Sequence, residues 1–116
     1  MARSDFSFDN LKQLTLGDPT LIARLLEELA RSNQAEMQAL RAYRSSEDFD
    51  GLPDLVHKIK GGARMVKART VFGHCEQLEQ GLQSGLPTRE ISVLIAHLED
   101  SLQALGDTLV QQRRQA

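Results

Sequence analysis

The chain has 116 residues, 41% of them hydrophobic and 26% charged, which suits one soluble globular domain with a single core and no covalent staples. Aromatic residues make up only 4%, so aliphatic side chains must fill that core, and the one cysteine, Cys75, allows neither an internal disulfide nor a cysteine-rich zinc site, which fits a reducing compartment. No apolar run nears the roughly 20 residues that cross a bilayer, MARSDFSFDN is not a signal peptide, and the net charge of −2 argues against bulk nucleic-acid binding.

Every segment reads as helix. A short first helix over Phe8 to Thr15 places Phe8, Leu11 and Leu14 on one side. Asp18-Pro19 is a start signal, a side-chain cap followed by a proline preset for the first turn. The second helix then runs to about Tyr43, with Ile22, Leu26, Leu29, Met37 and Leu40 on one stripe and Leu25 and Ala30 beside it. Asn33 is the polar member of that stripe, read as a buried hydrogen-bonding group, with a place on the active surface as the alternative. A polar loop from Ser45 to Asp48 precedes a third helix over Phe49 to Val66, with Asp50 as a candidate cap and Pro53 in its first turn. The fourth spans Arg69 to Gln83 and turns Val71, Cys75, Leu78 and Leu82 inward. Ser84 to Thr88 holds a stop, a turn and a new cap. The last helix carries Ile91, Leu94, Ile95, Leu98, Leu102, Leu105 and Leu109 in a near-heptad seam, and the polar tail from about 111 is expected to fray. Long amphipathic helices joined by short loops predict an all-α antiparallel four-helix bundle with an extra N-terminal helix, residues 1–116 forming a single domain.

Charge is distributed unevenly. His57 to Arg69 holds five basic residues (Lys58, Lys60, Arg64, Lys67, Arg69) and no acid, leaving −7 on the rest of a chain that totals −2. A cationic patch on an acidic protein points to one site for a phosphate or an acidic partner. With His57 at zero and about 100° per residue, Leu52, Leu55, Val56, Ile59, Ala63 and Val66 fall between about 160° and 260°, so His57 lies opposite the core face. Gly61 and Arg64 lie within about 40° of it and Lys60 about 60° away, giving an exposed ridge of His57, Lys60, Gly61 and Arg64.

Two features of the ridge need an explanation. A glycine inside a helix costs roughly 0.8–1 kcal/mol relative to alanine, and Gly61 points where packing cannot compensate. Close access for another protein's surface to the imidazole can. Lys60 and Arg64, by like-charge repulsion, favour the neutral, nucleophilic ring and would stabilise an attached phosphoryl group. These properties suit phosphoryl transfer to an imidazole nitrogen.

The stretch Leu55-Val56-His57-Lys58-Ile59-Lys60-Gly61-Gly62-Ala63 resembles the H-x-[LI]-K-G-[small]-[small] signature of histidine-phosphotransfer domains. Val66-Lys67-Ala68 resembles the usual end of the phosphorylated helix, and His74-Cys75-Glu76-Gln77-Leu78-Glu79 the helix after it, where C-x-x-L-E is common. The wording HKIKGGARMV is most similar to the C-terminal domains of BvgS/EvgS-type hybrid sensor kinases. The resemblance implies that His57 accepts a phosphoryl group from one receiver-domain aspartate, through Nε2, and hands it to another. Lys60 would contact phosphoryl oxygens or the receiver, and Gly61 would give clearance. Arg64 is a docking candidate by geometry, as are Lys58 and Lys67 by charge. Lys67 departs from the family, where glycine is frequent, and leaves open how the helix ends.

Beyond Asp54 the sequence places no acidic cluster near His57, so Mg²⁺ is expected from the receiver, with no cofactor of this chain's own. No nucleotide loop is visible, which makes the domain a carrier and not a kinase. The expected setting is the cytoplasm, as a free domain or as part of a membrane-bound sensor kinase. The expected partners are receiver domains of a hybrid kinase and of a response regulator, met by a monomer without membrane or nucleic-acid contact. The rivals are a receiver-binding module that is never phosphorylated, the histidine-bearing domain of a chemotaxis-type kinase, and a phosphate-backbone binder. His74 and His97 read as structural or solvated, without metal-ligand spacing, and Cys75 as a small core residue.

Overall fold

The computed structural model describes residues 6–7 and 9–115, and among these it contains five helices and no strand. They are α1 (Asp9–Leu14), α2 (Pro19–Ser46), α3 (Leu52–Met65), α4 (Arg69–Gln83) and α5 (Thr88–Gln115). Helices α2 to α5 form the antiparallel bundle, and α1 is the short addition. The Asp18 side chain accepts from the Thr20 and Leu21 backbone N–H groups at 2.9 and 3.3 Å, so the cap-plus-proline start is built as its chemistry requires.

The aliphatic stripes meet in one core. Ile22, Leu26, Met37 and Leu40 of α2 are buried, as are Leu52, Val56, Ile59 and Ala63 of α3 and Val71, Cys75 and Leu78 of α4. Along α5 the seam from Ile91 to Leu109 is buried except for Leu94, which packs partly covered at the edge of the core. Asn33 is buried, and its Nδ2 donates to the Leu102 carbonyl at 2.9 Å, tying α2 to α5. Gly106 makes that reach feasible, since a Cβ there would lie 2.8 Å from Asn33 Nδ2. Nearer the other end, Glu99 of α5 is buried and accepts from Arg44 Nε and Nη2 at 2.7 and 3.0 Å.

Several expectations need correction. Phe8 lies outside the described residues, and Leu14 is 64% exposed, so of the proposed N-terminal face only Leu11 is buried. A six-residue helix makes too few turns to bury a full stripe. α2 continues to Ser46, where Glu47 takes a left-handed conformation at φ 56. α3 begins at Leu52 after Gly51, itself left-handed at φ 85, and Asp50 does not cap it. α5 runs from Thr88 to Gln115.

The end of α3 answers the question raised by Lys67. Lys67 adopts φ 55, the conformation a glycine would take there, and the Ala68 N–H returns to the Ala63 carbonyl at 2.8 Å. A left-handed lysine costs about 1–2 kcal/mol. The segment before α1 helps to close the same end. Ser7 N–H donates to the Val66 carbonyl and Asn10 Nδ2 to the Met65 carbonyl, both at 2.8 Å. This fixed end leaves the outer face of α3 as a rigid ridge between α2 and α4.

Candidate functional site

α3 buries its apolar arc, with Leu55 half-covered, and turns His57 outward, its side chain 80% exposed. Gly61, one turn on, is exposed, and a Cβ built there meets nothing within 4 Å. The same holds for Gly62. Neither glycine is required by packing inside this chain. Arg64, a further turn on, is exposed and sets its guanidinium 5.5 Å from the centre of the Phe72 ring.

Lys60 departs from the expected ridge. Its side chain is only 20% exposed, leans over Phe72 at 5.7 Å and donates to Glu79 Oε1 at 2.7 Å. The other oxygen of Glu79 faces His57 Nδ1 at 4.0 Å. A carboxylate from α4 therefore joins the site, an acid that the sequence reading did not place near His57. It neutralises Lys60, so that side chain does not stand as a free cation beside His57. A carboxylate on the Nδ1 side also favours the tautomer protonated at Nδ1, which leaves the Nε2 lone pair free. Glu79 appears in the sequence only as the last letter of C-x-x-L-E, and nothing in the periodicity of α3 reveals it.

The flank toward α2 has a different character. A crevice of about 60 Å³ between α2, α3 and α5 is lined by Ser32, Glu36, Ile59 and Gly62 among others. Burial raises the Glu36 carboxyl above its ordinary range, opposed by the charge of Lys58 and a hydrogen bond from Ser32. Lys58 thus belongs to the α2 side of the ridge, and Lys67, exposed, to its α4 end.

These features place a solvent-facing imidazole, a flanking carboxylate and an unobstructed approach on one rigid helix. The model of the Hpt domain family matches residues 24–111. The chain belongs to the histidine-phosphotransfer (Hpt) family. It is 34% identical over 105 residues, 90% of its length, to the virulence sensor protein BvgS of Bordetella bronchiseptica, and equally so to those of Bordetella parapertussis and Bordetella pertussis. The chain spans only 8% of the length of these relatives. A crystal structure of the HPT domain from an Hpt sensor hybrid histidine kinase from Shewanella superposes with a TM-score of 0.77. That match covers 95% of this chain and 94% of the other at 18% identity, and it shows the shared bundle. As an Hpt domain, the chain serves histidine phosphotransfer in a phosphorelay. Among the described residues no helix is long and apolar enough to cross a membrane.

The remaining candidates keep their structural readings. Cys75 is buried, and burial with the nearby Glu79 and Glu36 carboxylates pushes its thiol up to about 12, which makes it inert near neutral pH. His97 is exposed, and its ring stands 6.0 Å from that of His74. Among the described residues no group of three or more His, Cys, Asp or Glu side chains could hold a metal ion. Burial, then the charge of His97, lowers the His74 pKa from 6.5, with Asp100 opposing. The unfolded chain therefore binds this proton more readily than the folded one, and His74 costs stability as pH falls below 6.5. Glu36 acts in the opposite sense, shedding its burial penalty as pH falls toward 4.5. Melting temperatures of the parent and His74→Gln are expected to diverge below pH 6.5, with the parent losing more. Parallel curves would show that His74 carries no such linkage.

Proposed function

We propose that residues 1–116 form one phosphorelay module in which His57 is the phosphorylated residue. It receives its phosphoryl group from a receiver-domain aspartate of a hybrid sensor kinase and passes it to the aspartate of a response regulator. The observation that carries this reading is the exposed His57 imidazole, faced by Glu79 on its Nδ1 side and by open space at Gly61. The relation to sensor proteins supports the choice of donor.

In the transfer, the Nε2 lone pair of His57 attacks phosphorus, the P–N bond forms, and the P–O bond to the donor aspartate breaks. The carboxylate leaves with the electron pair, and the Nδ1 proton stays beside Glu79. The second transfer is the reverse of the first with another aspartate. Lys60 balances charge at the phosphoryl oxygens or on the receiver, Arg64 meets charge on the receiver, and Lys58 and Lys67 are docking cations. Mg²⁺, which helps to neutralise a transferring phosphoryl group, is assigned to the receiver. The carboxylate facing His57 is already paired to Lys60 and so is not free to take that ion. The module acts as a monomeric carrier without an ATP site of its own, in the cytoplasm.

The test is transfer from a panel of phosphorylated receiver domains, followed by the label on this chain. Label is expected on the parent and none on His57→Gln. Binding of receivers with no label on His57 would sink the relay in favour of a pure interaction module.

A further inference from the structure

We infer that the cleft at the α3–α4 corner accepts acidic side chains of the docked receiver and so helps to choose which receiver binds. The inference rests on the phosphorelay reading and deepens it by naming the chemistry of the partner. The cleft holds about 260 Å³ and is lined by Ala63, Arg64, Lys67, Ala68, Arg69 and Phe72. Half of its lining is cationic. Among the described residues, none of Arg64, Lys67 and Arg69 has an ion-pair partner, whereas Lys60 one turn before Arg64 is neutralised by Glu79.

Two details make the cleft more than a solvated basic corner. The Phe72 ring supports Arg64 at 5.5 Å, which holds the guanidinium at the cleft and reduces the conformational freedom lost when it is bound. Lys67 places its charge there from a left-handed backbone at φ 55, where glycine would close the helix at lower cost. A cation is held in place against the preference of its own backbone.

The distances decide what the occupant is. At 1.5 Å per residue, Arg64 and Lys67 stand about 10 and 15 Å along the helix axis from His57. That is too far for the cleft to hold the phosphoryl group in transfer. A standard interface covers about 800 Å² on each partner, a patch roughly 16 Å in radius. A receiver centred on His57 therefore meets the cleft with the rim of its interface. There the three cations attract carboxylates and repel basic residues. A receiver that brings basic residues to this corner is disfavoured by that repulsion, and this is how the cleft discriminates.

The test uses the double variant Lys67→Asn/Arg69→Gln, because asparagine tolerates the left-handed turn and Arg69 is exposed. The probe is the receiver domain that labels His57 fastest in the panel above, or binds most tightly if none labels it. Its dissociation constant is measured by fluorescence titration from low to high salt, with circular dichroism to check the fold. The dissociation constant is expected to rise about tenfold and its salt dependence to flatten. An unchanged constant and salt slope in the folded variant overturn the cleft as an acceptor. If the double variant does not fold, Arg69→Gln alone is read against the same two outcomes, with a smaller rise expected. Failure of the parent to be labelled on His57 overturns the phosphorelay reading and leaves the binding comparison intact. If no receiver in the panel binds, both are overturned.

Discussion

Gly61→Leu is expected to leave the bundle folded, raise its melting temperature slightly and slow phosphotransfer about a hundredfold, the cost of a small misplacement of reacting groups. The effect of this substitution has two halves that separate experimentally. Inside the chain, a Cβ at position 61 meets nothing within 4 Å, so no packing contact opposes a larger side chain. Leucine is among the better helix formers, and removing a mid-helix glycine is worth roughly 0.8–1 kcal/mol. Outside the chain, position 61 is one turn from His57 on the same face, where side chains four residues apart are neighbours. A leucine there occupies the space through which a receiver's acyl phosphate must come in line with Nε2. Thermal melts and receiver-to-His57 transfer rates measure the two halves. Labelling by a small donor such as phosphoramidate is expected to suffer far less, because it needs no protein surface near the helix. Unchanged transfer from the receiver would remove the access argument. A lower melting temperature would instead show that the glycine serves the fold.

What was legible in the sequence follows from how far each interaction reaches along the chain. α4 begins and ends where its pattern predicts, at Arg69 and Gln83, because its stripe and its flanking turn are local signals. The Asp18 cap is equally local, spanning three residues. The outward turn of His57 and Gly61 follows from the 3.6-residue repeat once the opposite face is buried. The start of α3 was harder to place. Asp50 has the chemistry of a cap, but the chain turns through Gly51 at φ 85, a backbone state that the side-chain sequence does not specify. The apolar pattern before Asp18 overstated α1, since Leu14 faces solvent on so short a helix. The ion pair between Lys60 and Glu79 joins residues 19 positions apart on two helices. Helical periodicity fixes the face each residue occupies but not the rotation of α4 against α3 that brings them together. The site was therefore legible as a ridge on one helix, while its electrostatic balance depends on packing between two.

That balance can be measured through Glu79. Glu79→Ala is expected to slow transfer to His57 about tenfold, a loss of about 1.4 kcal/mol of transition-state stabilisation. Two effects compete in this variant. Removing the carboxylate frees Lys60 to meet the phosphoryl oxygens, which favours transfer. It also takes away the group facing Nδ1 at 4.0 Å, so the ring loses its preference for the tautomer with Nε2 unprotonated. The second effect is expected to win. Lys60 is largely covered and rests over Phe72, so it gains little freedom to move, whereas the tautomer acts on the reacting nitrogen itself. Glu79 is thus a positioning residue, and a double-mutant cycle with Lys60→Met distinguishes its two roles. If Glu79 acts only by holding Lys60, the double variant transfers no more slowly than Lys60→Met alone. If it acts on His57, Glu79→Ala slows transfer further in the Lys60→Met background. The nitrogen signals of the His57 ring provide a second readout, independent of rate. They are expected to report mainly the Nδ1-protonated tautomer in the parent and a more even mixture in Glu79→Ala. An unchanged tautomer ratio would show that Glu79 does not act through the His57 ring.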